Sequence, residues 1–360
     1  MQTTYTRKMS KGNQRVRLKP EELEMIEAWR SRGHLPELFE QCKAAGIDIK
    51  DVKHYWHKSE KFSIFAKNGG QSIEDTFEPI LKELRDYSPK FKKIKRERVK
   101  DPHCLIIDPS DVHVGKYASK QETGENYDIE KAVSQVDDGI HGILSKAFGF
   151  NIDKVIFVIG NDCLHIDTPK RTTTSGTPQD TSGMWHEAFV AAPEMYIRAI
   201  DRILPYSDVE IIFNPSNHDY MSGFMLAQTI EAYYRWSKNV KFDVSISHRK
   251  YTKYGNNMIA TSHGDGAKLS DTPLLMATEN PQMWNDCQFR YIYLHHIHHK
   301  QTHKFMSGKD FIGVTAEYLR TPSPSDSWHS RNGYTGAKKA IEAFIHSFDN
   351  GQVARLTHHV

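Results

Sequence analysis

Asp111-Val-His113 sets a carboxylate and an imidazole two residues apart, just past the short apolar run 104–107. With that spacing at a strand end, both side chains can point the same way. Open α/β sheets carry their sites beyond the carboxyl ends of their strands. A carboxylate and an imidazole converging there suit a hard-to-borderline divalent metal. Taken alone, the pair fits a solvated turn with a satisfied histidine better.

Four more polar clusters follow in order, each just after an apolar run. They are Gly160-Asn161-Asp162-Cys163-Leu164-His165, Pro215-Ser216-Asn217-His218-Asp219, Ser262-His263-Gly264-Asp265 and His295-His296-Ile297-His298-His299. Each has a plain structural alternative. Gly-Asn-Asp is a common turn, Asn-His-Asp could cap the next helix, and a histidine run could be a surface patch. Five such clusters at five strand ends are hard to reconcile with five separate coincidences.

The elements that must position them read as strands alternating with helices from residue 104 onward. Strands are predicted at 104–107, 154–159, 209–213, 258–261, 289–294, 302–306 and 311–315. Helices are predicted at 129–148, 185–204 (despite Pro193) and 225–236. The alternation implies a layered α/β domain with mixed sheets. Before it, residues 1–18 read as a basic tail. Helices are predicted at 20–32, 36–45 (stopped by Gly46), 48–58 and 73–87. Helix, glycine turn and helix with Lys53 and other basic residues resembles a helix-turn-helix; a small helical cap with a solvated basic face is the simpler reading. The expected organisation is an N-terminal helical domain over 1–87, a basic linker over 88–101 and the α/β domain over 102–360. The linker carries Lys92, Lys93, Lys95 and Arg96, and its place next to the metal clusters would let it contact phosphates without sequence preference.

Composition narrows the class. The chain has 360 residues, 38% of them hydrophobic, enough for about two domains and a large core. A net charge of +3 makes it no polycation, so any polyanion must be met locally. Four dispersed cysteines with no C-x-x-C pair argue against a disulfide framework and a cysteine zinc site, and favour a reducing compartment. No run approaches the ~18 apolar residues of a membrane span. A soluble, cytoplasmic protein with no membrane partner is expected. Neither a G-x-S-x-G elbow nor a Walker A loop is present, which argues against a serine hydrolase and a P-loop ATPase.

The order D-x-H, G-D, N-H-[DE], H-G, H-x-H resembles that of the calcineurin-like metallophosphoesterases, over roughly residues 104–300. The resemblance implies a four-layer α-β-β-α sandwich with two divalent metal ions. It assigns Asp111 and His113 to the first metal and Asp162 to a bridge between both. Asn217, His263 and His296 would serve the second metal and His298 the first. His218 matches the general acid, supported by His165. Mn²⁺ is the expected metal, with Fe, Zn²⁺ or Ni²⁺ also suited to such a shell. The segment 160–171 looks like that of the DNA double-strand-break repair nucleases of the SbcD type. The implied activity is therefore phosphodiester hydrolysis, with DNA as expected substrate and a hydroxide bridging the metals as nucleophile. A small-nucleotide phosphoesterase and a DNA-binding protein with a non-catalytic metal site are the alternatives. With only about sixty residues after His298, no obligate ATPase partner is expected.

Three residues depart from the family pattern. Gly-Asn-Asp replaces Gly-Asp, which a β-bulge could absorb, and leaves Asn161 as the less suitable bridging ligand. His295 and Ser216 stand where glycines are usual. Asp108 lies close enough to orient a ligand or to be a turn residue. The polar loop 171–180 could line a substrate groove, and Arg320 or His329 could reach a phosphate; surface and packing roles are the simpler readings.

Overall fold

The computed structural model describes residues 89–296, 308–333 and 336–360, with residues 40 and 42–46 and the backbone of strands His54–Lys58 and Ser63–Lys67. The chain divides into two compact units, Met1–Tyr87 and Ser88–Val360.

In the first unit, residues 40 and 42–44 are helical and Gly46 follows with a φ of +70°. The helix predicted over 48–58 is corrected. His54–Lys58 (β1) is a strand, paired antiparallel with Ser63–Lys67 (β2), so that Trp56 opposes Phe65. Aromatic and alternating residues at Tyr55, Trp56, Ile64 and Phe65 suit a pleated surface as well as a helix face, and the pairing partner lay outside the window that suggested a helix. The helices predicted at 20–32 and 73–87, and Lys53, lie outside the described residues.

The second unit is mixed α/β with two sheets. The six-stranded sheet runs β13-β12-β3-β4-β5-β6. Its strands are β3 (His103–Asp108), β4 (Ile152–Gly160), β5 (Asp208–Asn214), β6 (Val240–Asp243), β12 (Ala340–Ser347) and β13 (Gly351–His359). β3 to β6 are parallel, while β12 and β13 are antiparallel to their neighbours. The five-stranded sheet runs β10-β11-β9-β8-β7. Its strands are β7 (Arg249–Tyr254), β8 (Asn257–Ser262), β9 (Phe289–Leu294), β10 (Gly308–Phe311) and β11 (Val314–Tyr318).

Alternate residues of β3 and β4 serve different packing layers. Leu105, Ile107, Val155, Phe157 and Ile159 face helices Ile129–Lys146 (α1), Trp185–Ile203 (α2) and Tyr220–Tyr234 (α3). Cys104, Ile106, Ile156 and Val158 pack with Ile259 and Tyr293 of the other sheet. Burial on both faces explains why β4 reads as an unbroken apolar run. Met258, Ala260, Ile292 and Leu294 point the other way, to Met276 and Cys287 near two short helices. On α1 the buried Ala132, Val136, Ile140 and Ile143 recur at helical spacing, and Asp128 caps its start. Pro193 sits inside a continuous α2.

β6, β7, β12 and β13 were not legible in advance. β12 is buried along its length, but Glu342 and His346 interrupt its pattern. They are satisfied by Arg355 of the next strand at 2.9 Å and by the Tyr293 hydroxyl at 2.7 Å, the latter 53 residues away. The strand predicted at 311–315 is displaced into β10 and β11, and residues 302–306 lie outside the described ones.

Candidate metal centre

All five clusters hang from the carboxyl ends of parallel strands. Asp111 and His113 follow β3, Asp162 and His165 follow β4, Asn217 and His218 follow β5, His263 follows β8 and His296 follows β9. Their backbones are unusual. Asp111, His113, Asn161, Asp162 and His296 all have φ between +50° and +68°, a region β-carbon-bearing residues seldom adopt. The loops are cross-linked to hold it: Asp111 N donates to Asn161 O at 2.7 Å, His113 N to Asp162 O at 2.9 Å and Val114 N to Cys163 O at 2.7 Å.

The turn after β4 explains the extra residue in Gly-Asn-Asp. The β4–β5 register is continuous up to Gly160 opposite Asn214, so no bulge absorbs it within the strand. Gly160 has a φ of +86°, and a β-carbon there would lie 2.3 Å from Asn214 O. Asn161 and Asp162 then follow in left-handed conformation, which Asn and Asp tolerate best. Asp162 thereby enters the centre, while the Asn161 amide turns toward Asp108 Oδ1 at 3.4 Å.

The donor atoms converge in two groups that share Asp162. One is Asp111, His113 and Asp162; the other is Asp162, His263 and His296, and in each the candidate ligand atoms lie within 4.8 Å of one another. Asn217 joins the second, its Oδ1 2.9 Å from His263 Nε2. His263 Nε2 also lies 3.2 Å from Asp162 Oδ2. A third group, His113, His165 and His218, adjoins the first. Lys53 and His298 lie outside the described residues.

The electrostatics suit cations. Burial, and then the neighbouring Asp162, push the Asp111 carboxyl up to about 6, with His263 and His295 pulling it back. Asp162 is buried too, but His263 and the His218 amide hold it well below the usual carboxylate range. Burial would lower His263, yet Asp162 and Asp111 outweigh it and raise it to about 9. Asp162 Oδ2 has no aligned hydrogen-bond donor among the described residues, despite being fully buried. Two buried carboxylates, an amide oxygen and several imidazoles, with that carboxylate oxygen lacking an aligned donor, form a donor set that fits divalent metal ions.

His218 is half-buried; its backbone N donates to Asp162 Oδ1 at 2.9 Å, and its Nδ1 lies 2.9 Å from the His165 carbonyl oxygen. A carbonyl can only accept, so Nδ1 carries a proton and Nε2 is the nitrogen left for a substrate. The His165 imidazole stacks on the His218 ring, centroids 5.4 Å apart, and its Nδ1 lies 3.3 Å from His113 Nδ1. Burial, then Lys116 and His218, lower the His165 pKa well below its ordinary value.

Several contributors had no assigned role from sequence. Ser216, in a glycine's usual place, accepts from Asp162 N at 2.7 Å and donates to Asp219 Oδ1 at 2.6 Å; Asp219 Oδ2 accepts from Leu164 N at 2.8 Å. Burial and Asp162 push the Asp219 carboxyl up to about 7. Thr321 donates to Asp111 O at 2.8 Å. Lys116 is buried beneath the 321–326 segment, donating to Pro324 O at 2.7 Å and meeting Asp326 at 3.3 Å. The departures from pattern were the available signal for Ser216; nothing local marked Lys116 or Thr321. Arg320 and His329 pair with Glu342 and Asp326.

The expected position of the basic segment is corrected. Phe91 packs on Tyr233 and Tyr234, and Ile94 exchanges hydrogen bonds with Asn239, at the start of β6. Arg96 meets Asp208, at the start of β5, and the carbonyls of Leu204 and Pro205. These are amino ends of strands; the candidate ligand residues lie at the carboxyl ends. The seven residues of β5 alone separate them by about 20 Å. Lys92, Lys93 and Lys95 are exposed at that far end.

No protein-family model matches the chain, and a search of curated proteins finds no match. Among solved structures, the chain is similar to a Vps29 double mutant from Entamoeba histolytica, at 11% identity and a TM-score of 0.27, covering 72% of this chain and 99% of that one. A likeness of that size carries no argument about this chain. Among the described residues, no helix is long and apolar enough to cross a membrane.

Proposed function

We propose that this chain is a binuclear-metal phosphodiesterase acting on nucleic acid, with its sheets and outer helices forming the four-layer metallophosphoesterase sandwich. The observation that carries this reading is the sharing of Asp162 between two convergent ligand groups. Asp111 and His113 would hold one ion, with His298 as its further ligand; Asn217, His263 and His296 would hold the other. When bound, such a pair supplies positive charge to the phosphate oxygens and an activated water. The chain's own chemistry is then the proton. His218, held through its Nδ1–H, would present Nε2 to the leaving oxygen and, with that nitrogen protonated as well, would donate the proton a general acid supplies. The surrounding burial excludes bulk water and strengthens each contact.

DNA is the proposed substrate and Mn²⁺ the proposed metal. A second reading, a small nucleotide as substrate, is favoured by the basic segment's position at the far end of the strands. The test is a hydrolysis screen with added Mn²⁺ on linear duplex DNA, single strands, cyclic nucleotides and a chromogenic phosphodiester. Mn²⁺-dependent cleavage of DNA is the expected result. Cleavage of cyclic nucleotides alone favours the second reading. No cleavage of any of these substrates, with Mn²⁺ or with Fe, Zn²⁺ or Ni²⁺ in its place, overturns both.

A further inference from the structure

Two of the residues that break the family pattern, Asn161 and His295, converge on a third residue, Asp108. All three are buried to 1% exposure. His295 Nε2 meets Asp108 Oδ2 at 3.0 Å, in a contact bent away from hydrogen-bond alignment. Asn161 Nδ2 donates to Asp108 Oδ1 at 3.4 Å. The three come from the carboxyl ends of β3, β4 and β9. Their backbones continue the link, since Asn161 O accepts from Asp111 N at 2.7 Å and His295 N donates to His263 O at 3.1 Å. Each member also neighbours a ligand: Asn161 precedes Asp162, His295 precedes His296, and Asp108 is three residues before Asp111.

We infer that Asp108, His295 and Asn161 form a buried lock that positions the two metal-ligand groups relative to each other. This rests on the proposed metal centre and names a device within it. The physical need is plain. Asp111, Asp162 and His296 sit in left-handed backbone, which persists only where surroundings over-determine it. Two carboxylates crowded without solvent also repel. A contact reaching from the β3 loop to both the β4 and β9 loops holds the donors together against both tendencies. A glycine at 295 could not make it.

The test measures Mn²⁺ binding by calorimetry on the full chain, independently of turnover. Asp108→Asn and His295→Ala should each weaken binding about ten- to a hundredfold. The double variant should be no weaker than the weaker single, because both remove one contact. His295→Gln, which keeps a side-chain N–H within reach, should recover most of the loss. Unchanged affinities, additive losses, or a Gln variant as weak as the Ala variant would overturn the lock. If Asp108→Asn fails to fold, the two His295 variants alone decide, since both leave Asp108 in place. Absence of Mn²⁺ binding by the unaltered chain would sink the metal centre itself, and the lock with it; normal binding in every variant sinks only the lock.

Discussion

His218 Nδ1 rests 2.9 Å from the main-chain oxygen of His165, not from its imidazole. The backbone therefore fixes a proton on Nδ1 and leaves Nε2 to a substrate, while the His165 ring stacks on His218 and meets His113. His218→Ala should keep both ions and lose roughly 10²–10⁴ in turnover. Metal content by mass spectrometry beside a rate measurement checks this. Loss of an ion would make His218 a ligand.

His165→Ala separates the two histidines. The carbonyl that orients His218 survives the substitution, so proton donation should persist. His113 loses the imidazole beside it, and the first ion should bind about tenfold or more weakly, as when an outer partner of a ligand is removed. Rates at saturating Mn²⁺ should recover most of the unaltered value. A low rate that metal cannot restore would assign the acid-supporting role to the His165 ring, which stacks on His218.

Asp162→Ala removes the carboxylate shared by both groups. Both ions should be lost together, with no hydrolysis above background. Retention of a full pair would move the bridge to another residue. The Asn161 amide nitrogen is directed toward Asp108.

The metal-free protein should become less stable as pH rises from about 6.5 to about 9. His263 is raised from 6.5 to about 9 by Asp162 and Asp111, against its burial. A group raised on folding stabilises fully below its unfolded value, and that contribution fades as pH climbs through the folded one. Urea midpoints in chelator at the two pH values measure it, and the slope should shrink in His263→Gln. Added Mn²⁺ should oppose the trend, because the ion competes with the proton for the ring. Equal slopes in both proteins would remove His263 as the cause.

Arg96→Ala should cost about 1–2 kcal/mol of stability by freeing carbonyls at the end of α2 and Asp208. Turnover on a small phosphodiester should not change, since Arg96 lies at the far end of the sheet. Denaturation and a rate assay test the two halves, and a matching fall in rate would reopen a role for this segment at the centre.

Sequence alone determined which residue types end up at the strand ends. Apolar runs specify buried parallel strands, and a parallel arrangement sends every following loop to the same edge; Asp111, His113, Asp162, Asn217, His263 and His296 meet for that reason. Tertiary structure decided what spacing does not encode. Consecutive left-handed residues, rather than a strand bulge, carry Asp162 into the cluster. A main-chain oxygen orients His218, and sequence lists side chains only. β12 became visible as a strand once Arg355 of its hairpin partner and the more distant Tyr293 satisfied Glu342 and His346. The basic segment lies at the amino ends because Phe91 and Ile94 found partners more than a hundred residues away. Long-range pairing and backbone sign are properties of the folded chain, and no local window contains them.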